Sequence, residues 1–166
     1  LEALRVVHLD LTVANVSAWQ WWLAVSNCDY KDGLIYTDYQ SPGDAETIYP
    51  SKLLWGLGNY SRFVRPGMQR GGLSRDNEDL EGLLGSAYYD EEGGRVVVVY
   101  LNMSPDGARV RLETKRGETV SPLRMAGVWV TSDREGDDLS GRLGMAGDGS
   151  VEIPGRSVVT VVGQVE

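Results

Sequence analysis

One cysteine and one histidine are all that the 166 residues hold of either type. The lone Cys28 excludes an internal disulfide and any cysteine-rich zinc site. The lone His8 leaves no two-histidine metal site, and no Ser-His-Asp triad can form without it. Basic residues are the scarcer charges: 16 Lys and Arg face 24 Asp and Glu, for a formal net charge of −8. That balance leaves no electrostatic footprint for a nucleic-acid backbone, which calls for clustered Lys and Arg, so no nucleic-acid partner is expected. Long apolar runs are missing too. None approaches the roughly 20 residues of a membrane span, so no membrane partner is expected. A complete (β/α)8 barrel takes about 250 residues, more than this chain has. There is no initiator methionine, and Leu1 opens inside a helical pattern. The expectation is a C-terminal piece of something longer.

With 42% hydrophobic and 24% charged residues, the chain reads as globular. Its composition changes near Pro66. Residues 1–66 hold 10 of the 14 aromatics but only 4 of the 21 glycines. The remainder alternates short β-branched runs with Gly/Asp turns, the pattern of an antiparallel sandwich. Two regions are therefore expected, 1–66 and 67–166.

In the first region Leu1, Leu4, His8 and Leu11 share one helical face, and Asn15 and Ser17 can close that helix. Residues 18–25 (AWQWWLAV) form an apolar run of strand length, which suits a strand covered on both faces. A polar loop follows from Ser26 to about Pro50. Leu53, Leu54, Leu57, Tyr60 and Val64 then recur at helical spacing, with Pro50 or Ser51 as the start and Pro66 as the stop. Helix–strand–loop–helix is the tail of a βα repeat, and its loop leaves the carboxyl end of the strand, the functional side of a parallel sheet. The fold class expected is an α/β barrel remnant, the end of a TIM barrel, followed by an all-β antiparallel sandwich. In the second region strands are expected at 68–73, 83–89, 95–102, 108–113, 119–124, 127–132, 150–153 and 157–163. Turns are expected at 90–94, 105–107 and 116–117, with Val96–Val99 and Val158–Val162 as the central strands.

Strand alternation would put Trp19 and Trp21 on one face and Gln20 and Trp22 on the other. An indole at the end of such a strand offers a flat apolar face to a sugar ring and an N–H to a hydroxyl, or else simply packs. The loop carries Asn27, Asp29, Tyr30, Lys31, Asp32 and Tyr36, residue types that suit hydroxyl recognition or a solvated turn. Asp29 and Asp32 are too close on one loop to flank a bond as a catalytic pair. The acidic stretch 133–138 (DREGDD) lacks the spacing of a calcium loop and reads as a solvated turn. His8 reads as a packing residue. No metal and no cofactor are expected. Three Asn-X-Ser triplets begin at Asn15, Asn59 and Asn102, of which Asn59 in a helix and Asn15 at a tight turn are poor acceptors.

AWQWWLAVS followed by YKDGLI resembles the eighth barrel strand and its loop in glycoside hydrolase family 30. LLWGLGNYSRFVRPGMQR resembles that family's last barrel helix running into its appended sandwich, and SAYYD, LNMS, VWVTSD and IPGRSVVTVVG continue the likeness. HLDLTVANVSAWQWW is most similar to the branch containing endo-β-1,6-galactanases. The resemblance implies retaining hydrolysis of β-linked glycans by two glutamates, placed after the fourth and seventh barrel strands. Both would precede this chain, so no residue here takes a catalytic role. Trp22 matches the family's aromatic at the floor of the sugar site. With Gln20, Ser26, Asn27 and Tyr30 it makes up the expected substrate-binding set. Some xylan-acting relatives hold an acidic sugar with basic residues where Val25 and Ser26 stand here, which favours a neutral glycan. The implied partners are a polysaccharide or oligosaccharide and the N-terminal barrel of the same chain, outside the cell. The alternative is a non-catalytic carbohydrate-binding or structural β-sandwich module.

Overall fold

A computed structural model describes residues 1–27, 30–38, 47–74, 82–142 and 149–165. Helix α1 (Glu2–Thr12) buries Leu4, Val7 and His8, one stripe at i, i+3 and i+4. His8 is thus a packing residue. A short sheet follows, made of β1 (Val25–Ser26), β2 (Ile35–Thr37) and β3 (Ile48–Pro50), with β1 parallel to β2 and β3 antiparallel to it. Helix α2 (Lys52–Ser61) starts where the Ser51 side chain accepts from the Leu54 backbone N–H at 3.2 Å, filling one of the orphan donors of a helix start. The same hydroxyl donates to the Leu34 carbonyl at 2.8 Å, which ties the helix to the head of β2.

The strand expected over residues 18–25 is corrected. Only Val25–Ser26 is extended and paired, and residues 18–24 run irregularly with a cis Trp22–Leu23 peptide. Within it Leu23 and Ala24 are tied by backbone bonds to residues 32, 34 and 35, and two indoles add the side-chain bonds described below. The polar loop expected from Ser26 to Pro50 is likewise interrupted, by β2 and β3.

Beyond Pro66 the chain is antiparallel. The strands are β4 (Gln69–Gly71), β5 (Leu83–Tyr89), β6 (Arg95–Asn102), β7 (Ala108–Val110), β8 (Glu113–Arg116), β9 (Thr119–Pro122), β10 (Arg124–Ser132), β11 (Ser140–Arg142), β12 (Val151–Ile153) and β13 (Ser157–Gln164). The run expected at 108–113 divides between β7 and β8, and β11 carries no β-branched residue to announce it. Six strands form one sheet in the order β11-β10-β13-β6-β5-β4. The two valine-rich strands β6 and β13 lie side by side at its centre, paired from Ser157↔Asn102 to Gln164↔Arg95. The 90–94 turn closes through Gly94 N–H to the Asp90 carbonyl at 3.0 Å.

Period-2 alternation splits that sheet into two faces. Val98, Tyr100, Val128, Val130, Val159 and Val161 face the ribbon β7–β12, packing with Leu112, Leu123, Val151 and Ile153. Val97, Val99, Leu101, Val158 and Val162 face the other way, against Leu4 and Val7 of α1, Tyr60 of α2, and Phe63. The large sheet is the middle layer, with helices on one side and the β7–β12 ribbon on the other.

Candidate functional site

The segment from Trp19 to Tyr36 holds the expected site residues, and its own hydrogen bonds shape it. Trp19 and Trp21 stack with ring centroids 5.9 Å apart. Trp19 donates its indole N–H to Asp10 Oδ2 of α1 at 2.9 Å, and Trp21 donates to the Asp32 carbonyl at 2.6 Å. The Leu23 backbone N–H reaches the same carbonyl at 2.9 Å. Gly33 N–H donates to the Tyr36 hydroxyl at 2.9 Å. A Cβ at Gly33 would lie 3.0 Å from both the Ser26 Cβ and the Tyr36 ring, so glycine is what lets the loop close on β1.

Trp22 takes part in none of these contacts. It is 78% exposed and stands beside the start of β1, while its two neighbouring indoles are half-buried. Tyr30 is 79% exposed, and Gln20 and Asn27 are also at the surface. Ser26 is buried beneath Gly33. Trp22, Gln20, Asn27 and Tyr30 are therefore exposed on one segment, and Ser26 belongs to its support. Asp32 contributes its carbonyl to the frame; Asp29 and Cys28 lie outside the described residues. Among the described residues no three His, Cys, Asp or Glu side chains are grouped to hold a metal ion.

Beside Trp22 the surface is apolar. Val25, Ile48 and Tyr49 on the small sheet are exposed, as are Val6, Leu9 and Val13, which form a second stripe along α1 at i, i+3 and i+7. The second half of the chain has no comparable platform among its four aromatics. Tyr88 and Tyr100 are buried, Trp129 packs on Phe63 with centroids 4.5 Å apart, and Tyr89 is half-buried with its hydroxyl donating to Gln69.

The turn expected at 133–138 is solvated at every residue but one. Asp137 is buried, accepting from the Ser132 hydroxyl at 2.7 Å and from Arg142 Nη2 at 2.6 Å. Lys52, at the start of α2, donates to the Arg134 carbonyl at 3.0 Å and to Asp138 Oδ1 at 2.5 Å. The acidic run is a clip between α2 and the β10–β11 hairpin. The density of Asp residues is legible in the sequence; the partner Lys52, 86 residues from Asp138, is not. Asn59 and Asn102 are both buried, so neither triplet is open to glycosylation in the folded chain.

Residues 1–36 match the model of O-glycosyl hydrolase family 30, and the chain shares its fold with parts of larger solved structures. In particular, it is similar to a conserved exported protein from Bacteroides fragilis, with 33% identity and a TM-score of 0.73 over 96% of this chain and 32% of that one. It shares its fold with the family 30 subfamily 8 xylanase Xyn30A from Clostridium acetobutylicum, at 21% identity and a TM-score of 0.70, over 99% of this chain and 38% of that one. A family 30 endoxylanase from Clostridium papyrosolvens C71 aligns similarly, at 22% identity and a TM-score of 0.68, over 99% and 37%. The chain spans about a third of the length of each. Among the described residues no helix is long and apolar enough to cross a membrane.

Proposed function

We propose that this chain is the C-terminal part of a retaining glycoside hydrolase acting on β-linked glycans, and that the enzyme is endo-β-1,6-galactanase-like. The observation that carries the reading is Trp22, an indole held out from a framed segment that lies inside the family-matched residues 1–36. Its flat face stacks beneath a sugar ring, while Gln20, Asn27 and Tyr30 hydrogen-bond hydroxyls around it. Ser26 holds the strand beneath them. The chain's contribution to catalysis is positioning. The two carboxylates of the retaining reaction, about 5 Å apart, come from a preceding barrel.

The exposed apolar surface of α1 and the small sheet supports such a neighbour, since Val6, Leu9, Val13, Val25, Ile48 and Tyr49 are what a barrel would cover. In this reading residues 1–66 close the barrel and residues 67–166 brace it. Uncharged Val25 and Ser26 support a neutral glycan over an acidic one. The likeness to an exported protein supports an extracellular location.

The test compares two polypeptides on β-1,6-galactan and on xylan. The 166-residue chain alone should release no sugar, while the chain joined to its barrel should cleave galactan with retention of anomeric configuration. Hydrolysis by the short chain, abolished by a substitution within it, would overturn the proposal.

A further inference from the structure

The carbonyl of Asp32 and the N–H of Gly33 are two edges of one planar peptide group, and both edges are bonded. The carbonyl accepts from the Leu23 backbone N–H at 2.9 Å and from the Trp21 indole N–H at 2.6 Å. On the opposite edge the Gly33 N–H donates to the Tyr36 hydroxyl at 2.9 Å. Tyr36 stands on β2, paired with Ser26 of β1, and its ring lies against Gly33. Leu23 directly follows Trp22, and its own carbonyl accepts from the Leu34 N–H at 3.0 Å. The Trp22 indole, 78% exposed, takes part in none of these bonds. Its place is therefore set by the backbone that carries it.

Gly33 is buried, so its N–H needs an acceptor within the protein. Because the peptide is planar, any rotation that carries this N–H away from Tyr36 also swings the carbonyl away from Leu23. Glycine at position 33 offers that rotation little backbone resistance. The restraint is the hydroxyl. We propose that Tyr36 is a positioning residue of the sugar site: its hydroxyl orients the Asp32–Gly33 peptide, and through Leu23 that peptide fixes where the Trp22 indole stands. The proposal rests on the role of Trp22 as the sugar platform. Deleting the hydroxyl leaves a buried donor without its acceptor, an imbalance that rotation of the peptide relieves. Trp21 adds a second donor to the same carbonyl but does not orient the plane, since the Leu23 bond persists without that indole.

The test uses the enzyme completed by its barrel and labelled with fluorotryptophan, the Trp22 fluorine resonance being identified by its loss in Trp22→Ala. Tyr36→Phe keeps the ring against Gly33 and removes only the acceptor. It should shift or broaden the Trp22 resonance. It should also lower kcat/KM about tenfold, on whichever of β-1,6-galactan and xylan the enzyme cleaves. Because Tyr36 acts through Trp22, adding Tyr36→Phe to Trp22→Ala should lower kcat/KM no further. A Trp22 resonance unmoved in Tyr36→Phe would overturn the proposal and leave the platform in place. A further loss in the double variant would do the same, since Tyr36 would then act on the sugar independently of Trp22. Full activity in Trp22→Ala would instead refute the platform, and the positioning role with it. Should Tyr36→Phe fail to fold, hydrogen exchange of the unaltered enzyme decides: the Gly33 amide should be protected, and rapid exchange there would overturn the proposal.

Discussion

Thr160 of β13 turns its hydroxyl to Asn59 of α2, 2.7 Å from the backbone carbonyl and 2.9 Å from Oδ1, and both residues are wholly buried. The last four carbonyls of a helix have no partner within it, so one sheet threonine supplies what the end of α2 lacks. Asn59 Nδ2 in turn donates to Thr131 Oγ1 of β10 at 2.7 Å. The helix is thus bonded to two adjacent strands through a single side chain. Thr160→Val keeps the shape and deletes the donor, leaving two buried acceptors unpaired. The expected cost is about 1–3 kcal/mol, read as a lower urea midpoint with an unchanged m-value. An unchanged midpoint would mean that the helix–sheet joint does not depend on this bond.

Asp137 gives the acid limb of stability a specific origin. Burial raises its carboxyl pKa, but the Ser132 hydroxyl and Arg142 outweigh burial and hold it below the ordinary value of 3.8. A depressed folded value stabilises above the unfolded pKa, and that contribution is lost as pH falls through the folded one. Asp137→Asn should therefore be less stable than the unaltered chain at neutral pH, with the gap narrowing below about pH 3.8. Denaturant midpoints measured from pH 7 to pH 2.5 would show it, and a gap that widened on acidification would refute the assignment.

Local pattern was enough for β5 and β6, whose ends fall where alternation and the flanking turns put them, at 83–89 and 95–102. It failed over residues 18–25, although that run is the more hydrophobic. A run of indoles satisfies itself by stacking and by N–H bonds to Asp10 and Asp32, partners 9 and 11 residues away. No periodicity encodes those. The same limit hid the Lys52 clip, whose halves lie 86 residues apart. At the candidate site, residue types pointed to Trp22, Tyr30 and Asn27, but exposure separates them from Ser26, which the close approach of Gly33 buries. That approach is a matter of backbone packing, invisible until the loop is folded.

Gly155 marks a contact between backbones with no room for a side chain. A Cβ there would fall 1.9 Å from the Pro105 carbonyl oxygen and 2.4 Å from its carbon. Both obstacles are backbone, so a rotamer change cannot relieve them, and the adjoining Arg156 N–H bond to the Ser104 carbonyl at 2.8 Å holds the loops together. Gly155→Ala should cost about 3 kcal/mol. Gly117 sits at φ +62 with nothing near its Cβ position. Gly117→Ala should cost only about 1–2 kcal/mol, the strain of a left-handed backbone. Thermal unfolding of the two variants should rank them in that order, and the reverse order would show that the 105–155 contact relaxes freely.

Adjacent indoles separate support from binding. Trp21 is half-buried, stacked on Trp19, and donates to the Asp32 carbonyl that also anchors Leu23. Removing it takes away packing and leaves that carbonyl with one donor fewer, so Trp21→Ala should destabilise the chain by about 1–3 kcal/mol. Trp22 is 78% exposed and supports nothing around it. Trp22→Ala should leave the unfolding midpoint within about 0.5 kcal/mol of the unaltered chain. In the enzyme completed by its barrel, the same change should lower kcat/KM on galactan roughly 100-fold, which corresponds to about 2.7 kcal/mol of transition-state binding. Measured side by side, the two variants yield a double dissociation: stability lost at Trp21, turnover lost at Trp22. A Trp22→Ala enzyme with full activity and a lowered midpoint would make that indole a packing residue for the barrel and remove the sugar platform from the proposal.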